Sequence, residues 1–338
     1  MKSFVSGCAG PSLTSDERSF FRNEQPWGLI LFGRNVETSD QLRRLCEEFR
    51  EAVGDPGRPI LIDQEGGRVQ RLRPPISPNY PSNSEIAENF GTDPVGVRRA
   101  VYLLSRLHAF DLAPFGIDVN CLPVLDVPSP SADPVIGSRA YGHKPELVAT
   151  LGRVACEGLL DGGVLPVIKH MPGHGRGDVD SHKALPRVHA SLADLATWDF
   201  VPFARLSDMP LGMTAHVVYE SIDVGQPGTC SPIVIDEIIR GAIGFDGLLF
   251  SDDISMHALD GTFEDRTHRL LEAGCDVALH CNGVFEEMLA VANAAAPLSA
   301  DAKRRTDIAL AMRNSGDDAD EAALRSEFAE LTGHSAFA

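Results

Sequence analysis

The sequence of 338 residues lacks several features that would assign it to a specialised class of protein. No apolar stretch approaches the roughly 18 residues that a membrane-spanning helix needs, and no basic segment followed by a signal-type apolar run opens the sequence. The seven cysteines are odd in number and contain no Cys-x-x-Cys pair, which indicates reduced, buried thiols and no disulfide frame. We therefore expect a cytoplasmic protein without a membrane partner.

Positive charge is also scarce, since 48 acidic residues face 30 Lys and Arg and the formal net charge is −18. Such a balance argues against nucleic acid as a partner. An anionic ligand would need local Lys or Arg set against this field. The glycine-rich phosphate fingerprint of dinucleotide-binding folds is missing as well, which argues against an open doubly wound sheet.

Short apolar runs recur along the chain, with helical patterns between most of them. Eight buried strands alternating with helices are typical of an α/β protein with a single (β/α)8 TIM-like barrel, which we favour over the open sheet. We interpret residues 1–338 as one catalytic barrel domain with a helical tail from about residue 299. The predicted strands cover residues 3–6, 28–32, 59–63, 117–122, 164–168, 211–215, 247–250 and 276–280.

Helix signals accompany these strands. Thr14-Ser15-Asp16-Glu17 is an N-cap signal for the first helix, and Ser231-Pro232 opens a helix that we expect to end at Ala242. Other helices are predicted over 40–52, 93–115, 146–160, 192–206 and 265–273. The proline-rich segments 73–81 and 128–134 are predicted to be long loops after strands three and four.

Charged side chains begin abruptly after the fifth apolar run. Lys169 and His170 follow it directly, and His174, Asp180 and His182 come within the next residues. A solvated surface loop is the simplest interpretation of such a segment. In barrel enzymes, however, active sites are built from the loops at the carboxyl ends of the strands.

Polar side chains follow four other predicted strands in the same way. Because the carboxyl ends of barrel strands meet at one face, we expect these residues to converge on one site. They are Asp63 and Arg71 after strand three, Arg139 after strand four, His216 after strand six, and Asp252 with Asp253 after strand seven.

The residue types indicate roles. Asp252 leaves a buried strand and is suited to attack a substrate carbon, whereas Asp253 fits better as a cap of the next helix. Asp180 can hold one ring nitrogen of His182 and make the other a usable acid and base near neutral pH. Lys169, with Arg71, Arg139 and Asp63, is suited to gripping hydroxyls and an anionic or amide group.

A metal site is the main competing chemistry. His170, His174, His182 and Asp180 offer possible zinc ligands, but no His-x-His or His-Glu-x-x-His spacing occurs, and Lys169 would repel a cation. We therefore expect no metal and no cofactor.

The motifs together resemble family 3 glycoside hydrolases, in their β-N-acetylhexosaminidase branch. The resemblance rests on Lys169-His170-x-Pro-Gly-His174-Gly followed by Asp180-x-His182, and it extends in order over residues from about 30 to 260. The other matching segments are Ile30–Asn35, Asp63–Arg71, Gly137-Ser138-Arg139 and Phe250–Met256.

This resemblance implies a TIM-like barrel that removes terminal β-linked N-acetylglucosamine with retention of configuration. By position, Asp252 is the nucleophile, His182 the acid/base and Asp180 its partner. The sugar-binding residues implied are Asp63, Arg71, Arg139, Lys169 and His170. It further implies that the small-molecule substrate is an N-acetylglucosaminyl anhydro-muropeptide from cell-wall recycling. We expect the protein to be a monomer.

Retaining glycosidases usually employ two carboxylates, whereas here a histidine takes the place of the second. A neutral imidazole lets anions such as phosphate approach, so phosphorolysis competes with hydrolysis as the reaction. The sequence is also compatible with a family 3 enzyme of other sugar specificity, a metal-dependent hydrolase or a non-catalytic sugar-binding protein. We further expect the loop over residues 173–183, which contains three glycines, to move and bring His182 to the glycosidic oxygen.

Overall fold

The computed structural model describes residues 1–91, 93–130, 132–313 and 316–334. Eight parallel strands close into a barrel in which each strand pairs with its neighbours in the chain, and the first pairs with the last. The strands are β1 (Lys2–Ser6), β2 (Pro26–Leu31), β3 (Ile60–Ile62), β4 (Val119–Asn120), β5 (Leu165–Met171), β6 (Leu211–Thr214), β7 (Leu248–Asp253) and β8 (Val277–His280). The predicted (β/α)8 barrel is thus confirmed.

Helices surround the barrel, and several begin with the capping residues that the sequence provides. Thr14 accepts a hydrogen bond from the Glu17 backbone N–H, and the Glu17 carboxylate accepts one from the Thr14 backbone N–H, so the predicted N-cap is present as a capping box. The helices are α1 (Ser15–Glu24), α2 (Ser39–Val53), α3 (Asn83–Asn89), α4 (Pro94–Leu112), α5 (Pro145–Asp161), α6 (Leu192–Thr197), α7 (Val201–Arg205), a π-helix (Val234–Ala242), α8 (Phe263–Glu272), α9 (Phe285–Ala294), α10 (Ala300–Ala311) and α11 (Glu321–Thr332).

The barrel interior is filled with apolar side chains, and α10 covers its lower end. Trp27, at the start of β2, packs edge-on against Phe250 of β7 with ring centroids 5.0 Å apart. Its indole Nε1–H donates to Thr306 of α10 at 3.0 Å. The tail from about residue 299 therefore includes a helix that completes the core, and α11 packs against α4.

Two predicted elements differ from the structure. The single helix expected over 192–206 is divided into α6 and α7, with the buried Asp199 between them and Pro202 in the first turn of α7. The fifth strand continues beyond Ile168 through Met171, so Lys169 and His170 belong to the strand and are buried. They were expected to begin a loop.

Long loops follow β3 and β4, as predicted. The first forms a two-stranded ribbon, Gln64–Gly66 with Val69–Gln70, before the chain enters α3. The second contains the segment 128–134, in which Ser131 lies outside the described residues. Within the described ranges, the chain contains no helix with the length and apolar character needed to cross a membrane.

Candidate active site

A cavity of about 300 Å³ opens at the carboxyl ends of the strands. All eight residues to which a catalytic or sugar-binding role was assigned from the sequence line it. They are Asp63, Arg71, Arg139, Lys169, His170, Asp180, His182 and Asp252. The expected convergence on one site is therefore observed for these residues and for Asp253, but not for His216, which does not line the cavity.

The cavity floor is a buried network of ion pairs. The Lys169 ammonium donates to Asp63 Oδ1 at 2.9 Å and contacts Glu65 Oε1 at 2.7 Å. Arg71 donates to the other oxygen of Asp63 at 2.8 Å. Arg139 donates two hydrogen bonds to Glu65, at 2.9 and 2.8 Å. Three cations face two carboxylates, which leaves the network with an excess of one positive charge.

This network sets the charge of its members. Burial alone raises the pKa of Glu65, but Arg139 and Lys169 outweigh it and lower that pKa to about 2. Asp63 has its pKa lowered in the same way, against burial, by Lys169 and Arg71. Burial opposes the charge of Lys169, but the two carboxylates raise its pKa. All of these groups are therefore ionised at neutral pH.

Asp252 lies near the end of β7, and the residue is 7% exposed. Burial raises its pKa, but His170, His216, the Asp253 backbone N–H and Lys169 together hold the pKa below the usual range. That N–H donates to Asp252 Oδ1 at 2.8 Å. The structure thus presents an ionised carboxylate to the cavity.

Asp253 has a different environment. Its carboxylate accepts hydrogen bonds from the Ser255 backbone N–H and hydroxyl and from the Cys281 backbone N–H. The next helix, α8, begins only at Phe263 and is capped by Thr262. The interpretation of Asp253 as a cap of the next helix was wrong, because it holds the turn after β7 and joins it to β8.

His170 is held by a residue that sequence reasoning missed. Its Nδ1–H donates to the buried carboxylate of Asp126 at 2.7 Å, which leaves Nε2 to the cavity. The other oxygen of Asp126 accepts from the His174 backbone N–H at 2.6 Å. Asp126 therefore orients both the end of β5 and the start of the following loop.

His182 stands at the mouth of the cavity, with 63% of its side chain exposed. Its Nδ1 atom lies 3.0 Å from Asp180 Oδ1, and its backbone N–H donates to the same oxygen. The predicted Asp180–His182 pair is therefore formed. The exposed imidazole at the mouth and the buried carboxylate of Asp252 line one cavity from different depths.

The stem of the loop that carries His182 is tightly packed. A Cβ atom on Gly175 would lie 2.1 Å from the Val127 carbonyl oxygen, and one on Gly173 would lie 2.9 Å from Asp199 Cβ. Arg176 donates to Asp199 at 2.7 Å, and the Gly177 carbonyl accepts from the Asp133 N–H. The break between α6 and α7 thus places Asp199 where it anchors the loop.

Glu65 and Asp126 are the site residues that were not singled out. Glu65 lies in a segment that carries the family resemblance, and a buried acid inside a charged motif is a usable signal. Asp126 follows the apolar residues Val124 and Leu125 four positions beyond the predicted end of strand four. That signal is weak in a single sequence.

His174 is buried and lines the cavity, whereas His216, which was expected at the same site, is buried but does not line it. His216 bonds through Nδ1 to the Thr229 hydroxyl and through Nε2 to the Asp253 carbonyl oxygen, and burial lowers its pKa. The imagined zinc ligands do not gather, since the described residues contain no cluster of three or more His, Cys, Asp or Glu able to hold a metal ion.

Comparison with known proteins supports one family. Residues 8–309 match the model of the glycosyl hydrolase family 3 N-terminal domain. A β-hexosaminidase of Alkalilimnicola ehrlichii is 39% identical over 280 residues, which cover 82% of this chain and 79% of that protein. A β-hexosaminidase of Pseudomonas aeruginosa is 37% identical over 287 residues, which cover 84% and 83%.

A solved structure agrees with these relatives. NagZ from Neisseria gonorrhoeae, crystallised in complex with N-trifluoroacetyl-D-glucosamine, superposes with a TM-score of 0.87 at 31% identity. The superposition covers 99% of this chain and 98% of that one. The likeness therefore extends over the barrel and its helical tail.

Proposed function

The chain belongs to glycosyl hydrolase family 3, in its β-N-acetylhexosaminidase branch, and we propose that it removes terminal β-linked N-acetylglucosamine with retention of configuration. One observation carries the mechanistic proposal. An ionised, buried Asp252 and an Asp180-bound His182 line one cavity together with a ring of hydroxyl-binding groups.

In the first step, the carboxylate of Asp252 attacks the anomeric carbon while the C–O bond to the leaving group breaks. His182, protonated on both ring nitrogens, gives its Nε2 proton to the departing oxygen, and Asp180 stabilises the imidazolium through Nδ1. The products are a glycosyl ester on Asp252 and a neutral imidazole.

In the second step, water attacks the anomeric carbon and the ester bond to Asp252 breaks. The water proton passes to Nε2 of His182, which restores the imidazolium for the next cycle. Two displacements at the same carbon return the β configuration.

We assign sugar binding to the charged network of the floor and to His170. Each oxygen of Asp63 accepts one bond from protein and retains a lone pair for a sugar hydroxyl. Lys169 uses two of its three N–H groups on Asp63 and Glu65, and His170 leaves Nε2 to the cavity. The preformed network fixes these groups before substrate arrives, which reduces the ordering cost of binding.

We further propose that the natural substrate is N-acetylglucosaminyl anhydro-N-acetylmuramic acid, free or peptide-linked, in cytoplasmic recycling of cell-wall fragments. The family branch supports this substrate, and the exposed mouth leaves space for a bulky leaving group. We propose a monomer, because one chain supplies every proposed catalytic and sugar-binding residue. Competition by purified anhydro-muropeptides and the mass from light scattering test these two points.

The activity is tested with 4-nitrophenyl N-acetyl-β-glucosaminide and the corresponding glucoside. We expect the parent to cleave the first, Asp252→Ala to lose activity by about 10³-fold or more, and a chelator to have no effect. The control is Asp260→Ala. Asp260 also follows β7, and its side chain is 91% exposed. Cleavage of the glucoside alone would overturn the sugar assignment.

Phosphorolysis is tested in the same assay. In high phosphate, hydrolysis yields free N-acetylglucosamine, whereas phosphorolysis yields its 1-phosphate. Accumulation of the 1-phosphate would show that phosphate takes the place of water in the second step. The first step would be unchanged.

A further inference from the structure

The cationic side chains that line the cavity are not equivalent. Arg71, Arg139 and Lys169 each contact a carboxylate at 2.9 Å or less. Arg68 also lines the cavity, but among the described residues no carboxylate forms an ion pair with it. Its guanidinium donates instead to the carbonyl oxygen of Val135.

We propose that Arg68 binds a carboxylate on the leaving group of the substrate. This inference rests on the proposed glycosidase function and adds a specificity determinant for the part of the substrate that departs. The positive charge of Arg68 predicts that the leaving group is acidic.

The position of Arg68 supports this assignment. It lies in the turn that joins the ribbon strands Gln64–Gly66 and Val69–Gln70, and it is exposed. Asp63 and Lys169 belong to the floor, and the buried Asp252 lines the same cavity, so we place the sugar that is attacked there. The leaving group must therefore extend toward the mouth, where the exposed His182 lies.

The chemistry of the group fits as well. A guanidinium has five N–H donors in a planar fork that matches a carboxylate, and Val135 takes one nitrogen of Arg68. The chain has a formal net charge of −18, so an acidic leaving group needs a local cation to offset the surrounding field.

A purely structural role would be to hold the loop after β4 through Val135. That loop has other anchors, because the backbone N–H groups of Ser129 and Asp133 donate to the carbonyl oxygens of Gly175 and Gly177. The contact with Arg68 is therefore one of several that hold the loop, and it also fixes the guanidinium at the mouth.

The test compares 4-nitrophenyl N-acetyl-β-glucosaminide with an analogue that carries a carboxylate on the phenyl ring. The measured quantity is the ratio of kcat/KM for the acidic substrate to kcat/KM for the neutral one. We expect Arg68→Met to lower this ratio by about 10-fold, and Arg68→Lys to lower it less, because one charge-assisted bidentate pair is lost or weakened.

Arg73→Met is the matched control. Arg73 follows the same ribbon, is exposed and donates to Asn79 and to the Gly67 carbonyl, and it does not line the cavity. The ratio of kcat/KM for the acidic substrate to kcat/KM for the neutral one should be the same in Arg73→Met as in the parent. An unchanged ratio in Arg68→Met, whether or not kcat/KM falls equally on both substrates, would overturn the proposal.

Two further outcomes are separable. If the parent cleaves neither substrate, the proposed function itself fails. If the ratio is unchanged but Arg68→Met removes an effect of inorganic phosphate on cleavage of the neutral substrate, Arg68 binds a free anion and the leaving-group proposal is wrong.

Discussion

The Nδ1 atom of His182 lies 3.0 Å from Oδ1 of Asp180, and the His182 backbone N–H donates to the same oxygen. Burial raises the pKa of Asp180, but these two hydrogen bonds outweigh it and keep the pKa low. The carboxylate therefore stays ionised and accepts the Nδ1 proton in both states of the ring, so that Nε2 is the atom that exchanges a proton with the substrate.

Asp180→Ala is expected to slow cleavage most when the leaving group needs a proton. The loss in kcat/KM should be about 10²-fold for a methyl glycoside and clearly smaller for the 4-nitrophenyl glycoside, because nitrophenolate departs without full protonation. Steady-state rates with leaving groups of graded pKa measure this. Equal losses across the series would show that Asp180 does not act through proton transfer.

His170→Asn is expected to shift the acid limb of the pH profile. Burial raises the pKa of Asp252, and among the groups that lower this pKa His170 has the largest effect. Removal of His170 is therefore expected to raise the pKa of Asp252. If the pKa of the Asp252 carboxylate is raised, the nucleophile becomes protonated at a higher pH. The acid limb of kcat/KM therefore moves to higher pH. His268→Asn, which changes an exposed ring on α8, should leave the limb where it is. An unmoved limb in His170→Asn would contradict the electrostatic assignment.

Glu65→Gln is expected to lower the free energy of unfolding by about 3–5 kcal/mol at neutral pH, since Lys169 and Arg139 then remain buried with too few carboxylates. The folded-state pKa of Glu65 is about 2, against 4.5 for an unperturbed glutamate. Its stabilisation is therefore complete above about pH 4.5 and is lost as the pH falls toward 2.

Chemical denaturation at several pH values measures the difference between parent and Glu65→Gln. That difference should shrink as the pH falls below about 4.5. Glu47→Gln is the control, because Glu47 is exposed on α2. A constant difference down to pH 2 would mean that the charge of Glu65 is not the source of the effect.

Gly175→Ala tests the packing of the loop stem. The added Cβ would meet the Val127 carbonyl oxygen at 2.1 Å, so the stem must shift, at a cost of about 1–3 kcal/mol, and His182 is displaced with it. We expect a lower melting temperature and a lower kcat. Gly10→Ala, where the added atom meets nothing within 4 Å, should change neither. Unaltered activity in Gly175→Ala would exclude a role of the stem in placing His182.

This packing also refines the expectation that the whole loop over residues 173–183 moves. Gly173 and Gly175 permit close approach to neighbouring backbone and side chain, and Arg176 is bound to Asp199. Motion that brings His182 to the substrate is therefore expected beyond Gly177. Hydrogen exchange should be slow at the stem and faster from Asp178 onward.

The barrel was predictable because its strands are short apolar runs at regular intervals, and helices separate most of these runs. The same periodicity predicted one helix over 192–206. The structure divides it because Asp199 is drawn into the interior by Arg176, a contact between segments that a local pattern does not contain.

Site residues that follow predicted strands could be predicted from the sequence. Residues that position them from other segments of the chain could not. Lys169 and Asp63 were both assigned to the site, but their pairing spans 106 positions and depends on barrel closure. Asp126 reaches the site through His170, and a single sequence gives no sign of such a hydrogen bond. A residue that orients a group from a distant segment, as Asp126 does for His170, is therefore harder to find than one that is close in sequence, as Asp180 is to His182.

The central claim is that Asp252 forms a covalent bond to the sugar. A 5-fluoro N-acetylglucosaminyl fluoride slows both displacements but has a good leaving group, so the glycosyl-enzyme should accumulate. Mass spectrometry of the digested protein is predicted to find the fluorosugar on Asp252, and NMR of the normal reaction is predicted to show the β-anomer first. A fluorosugar on another residue, or no adduct together with the α-anomer as first product, would contradict the account.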